Sequence, residues 1–273
     1  MFLRKFASST LLMTSVSVFR LLAQYISIPI LSRLLSHEDY GLMAMSMPFV
    51  VFCMLLADAG MGLSLVRTAR EKHEEWSSAF WLTCAIGIGL ALLILTSAPL
   101  VAMLYEEPRV APLIMLLSVA VLMQSTYAIP SSYLQQQHHF KTLAKIDAFS
   151  LVLSICTALY AATHGHGAWS LIYQQVVYHT VKAILIFYFS HFRPLWGFKW
   201  SLVTQHLRFG RDMIGVNLSE FFARSSDMII IGRLLGAAAA GAYSMAFQFV
   251  RLPVMLITGP LQYVLYSYLA RFK

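Results

Sequence analysis

Charge is what this 273-residue chain has least of: Asp, Glu, Lys and Arg together make up 12% of it, about half the share of a soluble globular protein. That scarcity excludes a soluble domain with a fully wetted surface. Cysteine is nearly absent as well. Cys53, Cys84 and Cys156 stand far apart in apolar sequence, with no C-x-x-C pair, which argues against a disulfide framework or a zinc site and leaves three small buried hydrophobes. Long polar connections are missing, so a soluble catalytic domain has no room. No Walker loop, H-E-x-x-H, nucleophile elbow or loop pair of carboxylates occurs, and His138–His139 and His164/His166 are too few for a metal centre. No cofactor is implied, and an enzyme is the least favoured class.

What fills the chain instead is apolar sequence: 59% hydrophobic residues and a mean hydropathy of +0.69. A membrane-crossing helix needs about 20 mostly apolar residues. Eight such segments fit, at 8–32, 42–64, 79–104, 112–129, 147–163, 169–190, 212–235 and 241–266. The sequence therefore reads as an all-α integral membrane protein with about eight transmembrane helices. The first segment is too long for a signal-peptide core and reads as a retained helix. Cytoplasmic loops of membrane proteins are enriched in Lys and Arg. With Arg4 and Lys5 in the cytoplasm, only Arg33, Arg109 and Arg233 of the twenty basic residues fall outside, and Arg20, Lys182, Arg224 and Arg251 fall within spans. The formal charge of +8 is thus a matter of topology, with both termini cytoplasmic, and nucleic acid is not an expected partner.

The chain also repeats itself. Residues 32–50, SRLLSHEDYGLMAMSMPFV, align without a gap with residues 232–250, GRLLGAAAAGAYSMAFQFV, at an offset of 200. Arg33/Arg233, Leu34/Leu234, Leu35/Leu235, Gly41/Gly241, Met45/Met245, Phe49/Phe249 and Val50/Val250 are identical. Both copies run outward from the cytoplasm. Parallel repeats of this kind are related by an axis along the membrane normal, with a binding site between them, which is the build of a transporter. We expect residues 1–205 to form one six-helix lobe and 206–273 the first two helices of a second. Between them, 191–211 (with Trp196, Lys199, Trp200 and Arg208) suits a short amphipathic helix at headgroup level. Loop 65–78 reads as a solvated connection, and 130–146 as a cytoplasmic extension of the fourth span.

Polar residues at bilayer depth are functional candidates because each costs at least ~2.5–3.5 kcal/mol to insert. Ser17, Arg20, Gln24 and Ser27 share one face of the first span by their spacing of three and four. Adding 200 gives Asn217, Glu220, Arg224 and Asp227, a matching stripe in the seventh. Glu220, Arg224 and Asp227 also have the spacing of a private ion-pair ladder. Arg20 has no acid within a turn, so its partner is Glu220, Asp227, Asp58 or an anionic ligand. In the sixth span Gln175, His179 and Lys182 share a face. His179 is a proton carrier or a satisfied hydrogen-bonding group, and Lys182 faces a cavity or snorkels. Arg251 precedes Pro253 mid-span, where a kink suits a moving wall. Asp58 follows an apolar run, with Gly60 and Gly62 allowing close helix approach, and Arg67 is its nearby counter-charge.

The stretch SRLLSHEDYGLMAMSMPFVVF resembles a passage "R-L-L-x-x-x-D-[YF]-G" carried here by Arg33, Leu34, Leu35, Asp39, Tyr40 and Gly41. LLADAGMGLSLVR is similar to a "D-x-G-x-G-x-x-L-V" passage, at Asp58, Gly60, Gly62, Leu65 and Val66. Both are features of bacterial polysaccharide exporters and Wzx-type flippases of the multidrug/oligosaccharidyl-lipid/polysaccharide superfamily. The resemblance implies two six-helix lobes in a V, alternating access, and a lipid-linked (undecaprenyl-pyrophosphate) oligosaccharide moved across the bacterial inner membrane. It makes the lipid bilayer, the lipid-linked glycan, a glycan polymerase and glycosyltransferases the expected partners. A pyrophosphate in hydrocarbon needs positive partners, so Arg20, Arg224 and Arg251, with Lys182, are the expected cationic cavity. Gln24, Asp58, His179, Glu220 and Asp227 are its polar and coupling candidates. Eight spans fall short of two complete lobes, so the resemblance also implies a C-terminal truncation. Two alternatives stay open: a cation-coupled multidrug exporter of the same superfamily, or an inactive membrane remnant.

Overall fold

The computed structural model describes residues 22–23, 26–58, 60–68 and 73–269, with side chains up to residue 250 except at 58, 68, 205, 208, 209, 211–213, 216, 220, 224 and 249. Helices joined by short turns make up the described residues. α1 covers 26–34. It is followed by α2 (His37–Asp58), α3 (Met61–Thr68), α4 (His73–Tyr105), α5 (Val110–Gln136), α6 (Phe140–Thr163), α7 (Trp169–Ser190) and α8 (Trp200–Leu269). Among the described residues, five stretches are both long and apolar enough to cross a bilayer: His37–Arg67, His73–Tyr105, Val110–Gln136, Phe140–Thr163 and Asn217–Gln248. The chain is a multi-pass all-α membrane protein. α7 reaches spanning length with 22 residues but carries Gln174, Gln175, His179 and Lys182, and most of the expected first span lies outside the described residues.

The elements break where the repeat says they should. Leu35 and Ser36 separate α1 from α2, and α8 is two helices joined at Gly236, whose φ of 78° and ψ of −178° are non-helical. Ser36 and Gly236 are 200 positions apart. Gly supplies the positive φ in the second copy at no steric cost. In the first copy a capping box does the work. Asp39 N–H donates to Ser36 Oγ at 3.1 Å, and Ser36 N–H donates back to Asp39 Oδ2 at 3.0 Å. Asp39 Oδ1 also accepts from the Ala168 N–H at 2.9 Å, which pins the start of α7 to the start of α2. The motif aspartate is therefore a joint between two helices.

Packing explains where the small residues sit. Along α4, Ala79, Thr83, Gly87, Ala91, Ala98 and Ala102 are buried, while Ile88, Leu92, Leu93, Leu100 and Met103 are exposed. An outward face this apolar needs hydrocarbon rather than water around it. The small seam lets α5 approach until a Cβ on Gly87 would stand 1.9 Å from Ser125 Oγ. A central core of Met45, Val50, Ala57, Ile94, Leu117 and Ile172 joins α2, α4, α5 and α7, and Ala237 and Ala240 of α8 complete it.

Three local expectations change. The second span is not continuous over 42–64, because Gly60, at φ 65°, separates α2 from α3. α3 and α4 take up most of the expected loop 65–78. The connection 191–211 holds no separate amphipathic helix. Its first part is an extended strap laid along the start of α4, and Trp200 begins α8 directly. The strap's backbone needs partners, and α4 supplies them. His73 Nε2 bonds the Arg193 carbonyl at 2.7 Å, Ser77 Oγ accepts from Leu195 N–H, Trp81 Nε1 donates to Leu195 O, and Ser78 Oγ accepts from Lys199 N–H.

Candidate functional site: a cavity between the two repeats

The two copies of the repeat meet. A Cβ on Gly41 would lie 1.7 Å from the Ala237 carbonyl oxygen, and one on Gly241 would lie 1.8 Å from the His37 carbonyl oxygen. His37 and Ala237 are themselves 200 apart, so the two contacts are one contact made twice, as a local two-fold axis requires. The glycines identical between the repeats are those that let the two helices touch backbone to backbone.

Beside this joint lies a cavity of about 400 Å³. Ile28 and Met228, Ala44 and Ser244, Met47 and Phe247, and Pro48 and Gln248 all line it. Each pair is separated by 200, so the cavity lies on the same local axis as the joint. Ser27, from the polar stripe, and Gln175, from the α7 face, reach it as well. Sequence reasoning missed Gln174, Ser225, Ser244 and Gln248. The offset contained a signal for two of them, since Ser244 and Gln248 stand one turn apart on the second copy of α2. The cavity's described wall is neutral, with amides and hydroxyls set among Met43, Met47 and Met228. Tyr40 also lines it, buried, with a hydroxyl that makes no hydrogen bond.

The candidate ionisable residues divide. Arg20 and Gln24 lie outside the described residues, as do the side chains of Asp58, Glu220, Arg224 and Arg251. Asp227 accepts hydrogen bonds from Tyr243 Oη and from the Met228 N–H, which joins the two helices of the second repeat. Lys182 and His179 occupy a cluster of their own. Lys182 Nζ is 2.6 Å from Asp147 Oδ1, which also accepts from Tyr178 Oη at 2.6 Å, and the ammonium lies 5.4 Å from the Tyr127 ring centre. His179 Nδ1 meets Tyr127 Oη at 3.0 Å. Asp147 was not singled out in the sequence, although it is the one acid in α6. The cluster lies about 10–12 Å along α6 and α7 from their nearer ends, by helical rise. There an isolated charge is expensive and a matched pair is tolerated.

A buried pair ties the start of α8 to α3 and α4. His206 Nε2 donates to Glu75 Oε1 at 2.8 Å, and its Nδ1 meets Ser64 Oγ at 2.8 Å. With His206 and Glu75 at 1% and 4% exposure, this serine–histidine–acid string is closed to substrate and acts as a structural tie. At the opposite end, Arg109 bridges Glu38 and Glu107, and Arg233 pairs with Glu106. The Arg109 hydrogen bonds hold the Glu107 carboxyl below its ordinary range, and Glu107, then Glu38, raise the Arg109 guanidinium.

Comparison with known proteins agrees with this build. The family model described as "Polysaccharide biosynthesis protein" matches residues 30–273. The succinoglycan biosynthesis transport protein ExoT of Rhizobium meliloti is 30% identical over 89% of this chain and 49% of its own length. The teichuronic acid biosynthesis protein TuaB of Bacillus subtilis is 28% identical over 95% and 54%. The lipopolysaccharide biosynthesis protein WzxC of Escherichia coli is 22% identical over 91% and 51%. The chain spans about half the length of these curated relatives. No solved structure gives a significant match.

Proposed function

Because the chain belongs to the polysaccharide biosynthesis protein family, we propose that it takes part in moving a lipid-linked glycan across the bacterial inner membrane, with both termini in the cytoplasm. The observation that carries this reading is the cavity on the local two-fold axis. A site shared by equivalent helices of two repeats is what rocking of one lobe against the other exposes to alternate sides. The glycine joint between α2 and α8 lies beside that cavity, at the end next to Tyr40. In the proposed topology that end faces outward, and access is from the cytoplasm, where lipid-linked glycans are assembled.

The lining supports a polar, uncharged cargo along most of its wall, with amides and hydroxyls for sugar hydroxyls. Arg20, Arg224 and Arg251 are the proposed partners of the pyrophosphate, since a guanidinium offers paired donors to phosphate oxygens. Lys182 is neutralised by Asp147 and is assigned to holding α6 on α7 instead. Glu220 and Asp227 are the acidic groups proposed for ion coupling. The relatives' names, which include a succinoglycan transport protein, support export of polysaccharide as the process.

The test is translocation of radiolabelled lipid-linked oligosaccharide in proteoliposomes holding the chain. Arg20→Ala and Arg251→Ala should each slow transport at least about tenfold, the equivalent of 1.4 kcal/mol of lost binding. Wild-type rates in both variants would overturn the cationic cavity.

A further inference from the structure

A second cavity, of about 720 Å³, lies at the basic end of the bundle, and no residue lines both it and the cavity between the repeats. It is bounded by the end of α3, the start of α4 and the turn from α5 to α6. Its size falls within the usual range for small-molecule sites, ≈ 300–1,000 Å³. Among the described residues that line it there is no Asp, Glu, Lys or Arg.

Gln135, Gln136 and Gln137 line this space together with Tyr133, His138 and Phe140. Each amide offers two donors and an acceptor with two lone pairs. Tyr133 is held in place by its neighbours, its ring 5.3 Å from Trp76 and 5.4 Å from Phe192. His138 packs 5.9 Å from Phe140.

The backbone adds a second, independent observation. α5 ends in a Schellman turn: His138 N–H bonds the Gln135 carbonyl, and His139 N–H bonds the Leu134 carbonyl. The residue that turns left-handed there is His138, with φ 59°. Glycine is the usual occupant of that position. An imidazole kept at a strained backbone position beside a cavity points to a role for the ring.

We propose that this cavity binds neutral sugar residues of the glycan at the cytoplasmic face; this rests on the glycan-transport reading above. A pyranose presents C–H faces that stack on aromatic rings and a rim of hydroxyls that both donate and accept. Amides match that rim, because a hydroxyl can donate to the amide oxygen while accepting from its N–H groups. The amides and rings described in this wall suit sugar hydroxyls and C–H faces, so the two ends of a lipid-linked glycan would engage different sites: the sugars here, the phosphates between the repeats.

The test uses the full chain in lipid nanodiscs and cellotetraose, a neutral oligosaccharide, read by saturation-transfer NMR. Wild-type protein should show saturable millimolar binding. The triple variant Gln135→Ala/Gln136→Ala/Gln137→Ala should bind at least about tenfold more weakly, and His138→Gly should also lose affinity, although glycine suits that backbone position and the fold should hold. Gly89→Ala, on an open face of α4, should bind as wild type. Absence of binding to the wild type, or undiminished binding by the triple variant, overturns the proposal. A wild-type chain that binds cellotetraose through these amides but moves no lipid-linked glycan in proteoliposomes refutes the transport reading and leaves the sugar site standing. Transport that is unchanged in the triple variant, without sugar binding, does the reverse.

Discussion

Gly41→Ala should loosen the contact between the two repeats. The added Cβ would stand 1.7 Å from the Ala237 carbonyl oxygen and 2.4 Å from its carbonyl carbon, whereas ordinary contact begins at 3.4 Å. These are backbone atoms, so no side chain can swing aside, and α2 and α8 have to part by something over an ångström. Overpacking of this kind costs about 1–3 kcal/mol, less the few tenths to about 1 kcal/mol that Gly→Ala regains within a helix. Gly241→Ala meets the His37 carbonyl at 1.8 Å and should cost the same amount. The double variant is the sharper test. Once one methyl has separated the helices, the second finds space already made, so the double should destabilise by clearly less than the sum of the singles. Equilibrium unfolding in mixed detergent micelles measures this cycle, with Gly89→Ala as a control that should be neutral or stabilising, since nothing lies within 4 Å of its added methyl. Strict additivity, or singles that stabilise as Gly89→Ala does, would refute the symmetric joint.

Asp39→Ala removes the carboxylate half of the capping box and the bond to Ala168, and should destabilise by about 1–2 kcal/mol in the same unfolding assay, with Asp39→Asn recovering part of the loss. Lys182→Ala removes a charged hydrogen bond to Asp147 and should cost about 1.5–3 kcal/mol, and in a cycle with Asp147→Asn the two losses should be clearly less than additive; strict additivity would contradict the pairing. The Glu107 carboxyl is held below its ordinary range by Arg109. Its contribution is therefore full above pH about 4.5, the ordinary glutamate value, and is lost as the pH falls further, through the lowered folded pKa. Because the pair is largely exposed, the loss should stay within about 1 kcal/mol. Unfolding midpoints of wild type and Glu107→Gln between pH 6 and 3 should converge, and parallel curves would refute the linkage.

Sequence alone determined a good deal here, and for physical reasons. Long apolar runs have no stable state in water and one in a bilayer, so membrane class and helical fold follow from composition. The offset of 200 located the break at Gly236 and the paired glycines, because a duplicated backbone repeats its turns and close approaches at fixed register; of the polar stripes it picked out, Ser27 reaches the cavity. What a sequence of this kind withholds is the facing of each helix. Its spans are apolar all round, the side toward lipid as apolar as the side toward protein, so no hydrophobic stripe marks the inside. That is why Lys182 was open between cavity and headgroups until Asp147, 35 residues earlier and on another helix, was found beside it. His206, Glu75 and Ser64 come from three separate segments, and no spacing links them. The strap at 191–199 carries aromatic and basic residues that read as interfacial, yet its conformation is decided by the polar groups of α4 that satisfy its backbone. Partners between helices are set by packing, and only the tertiary structure supplied them.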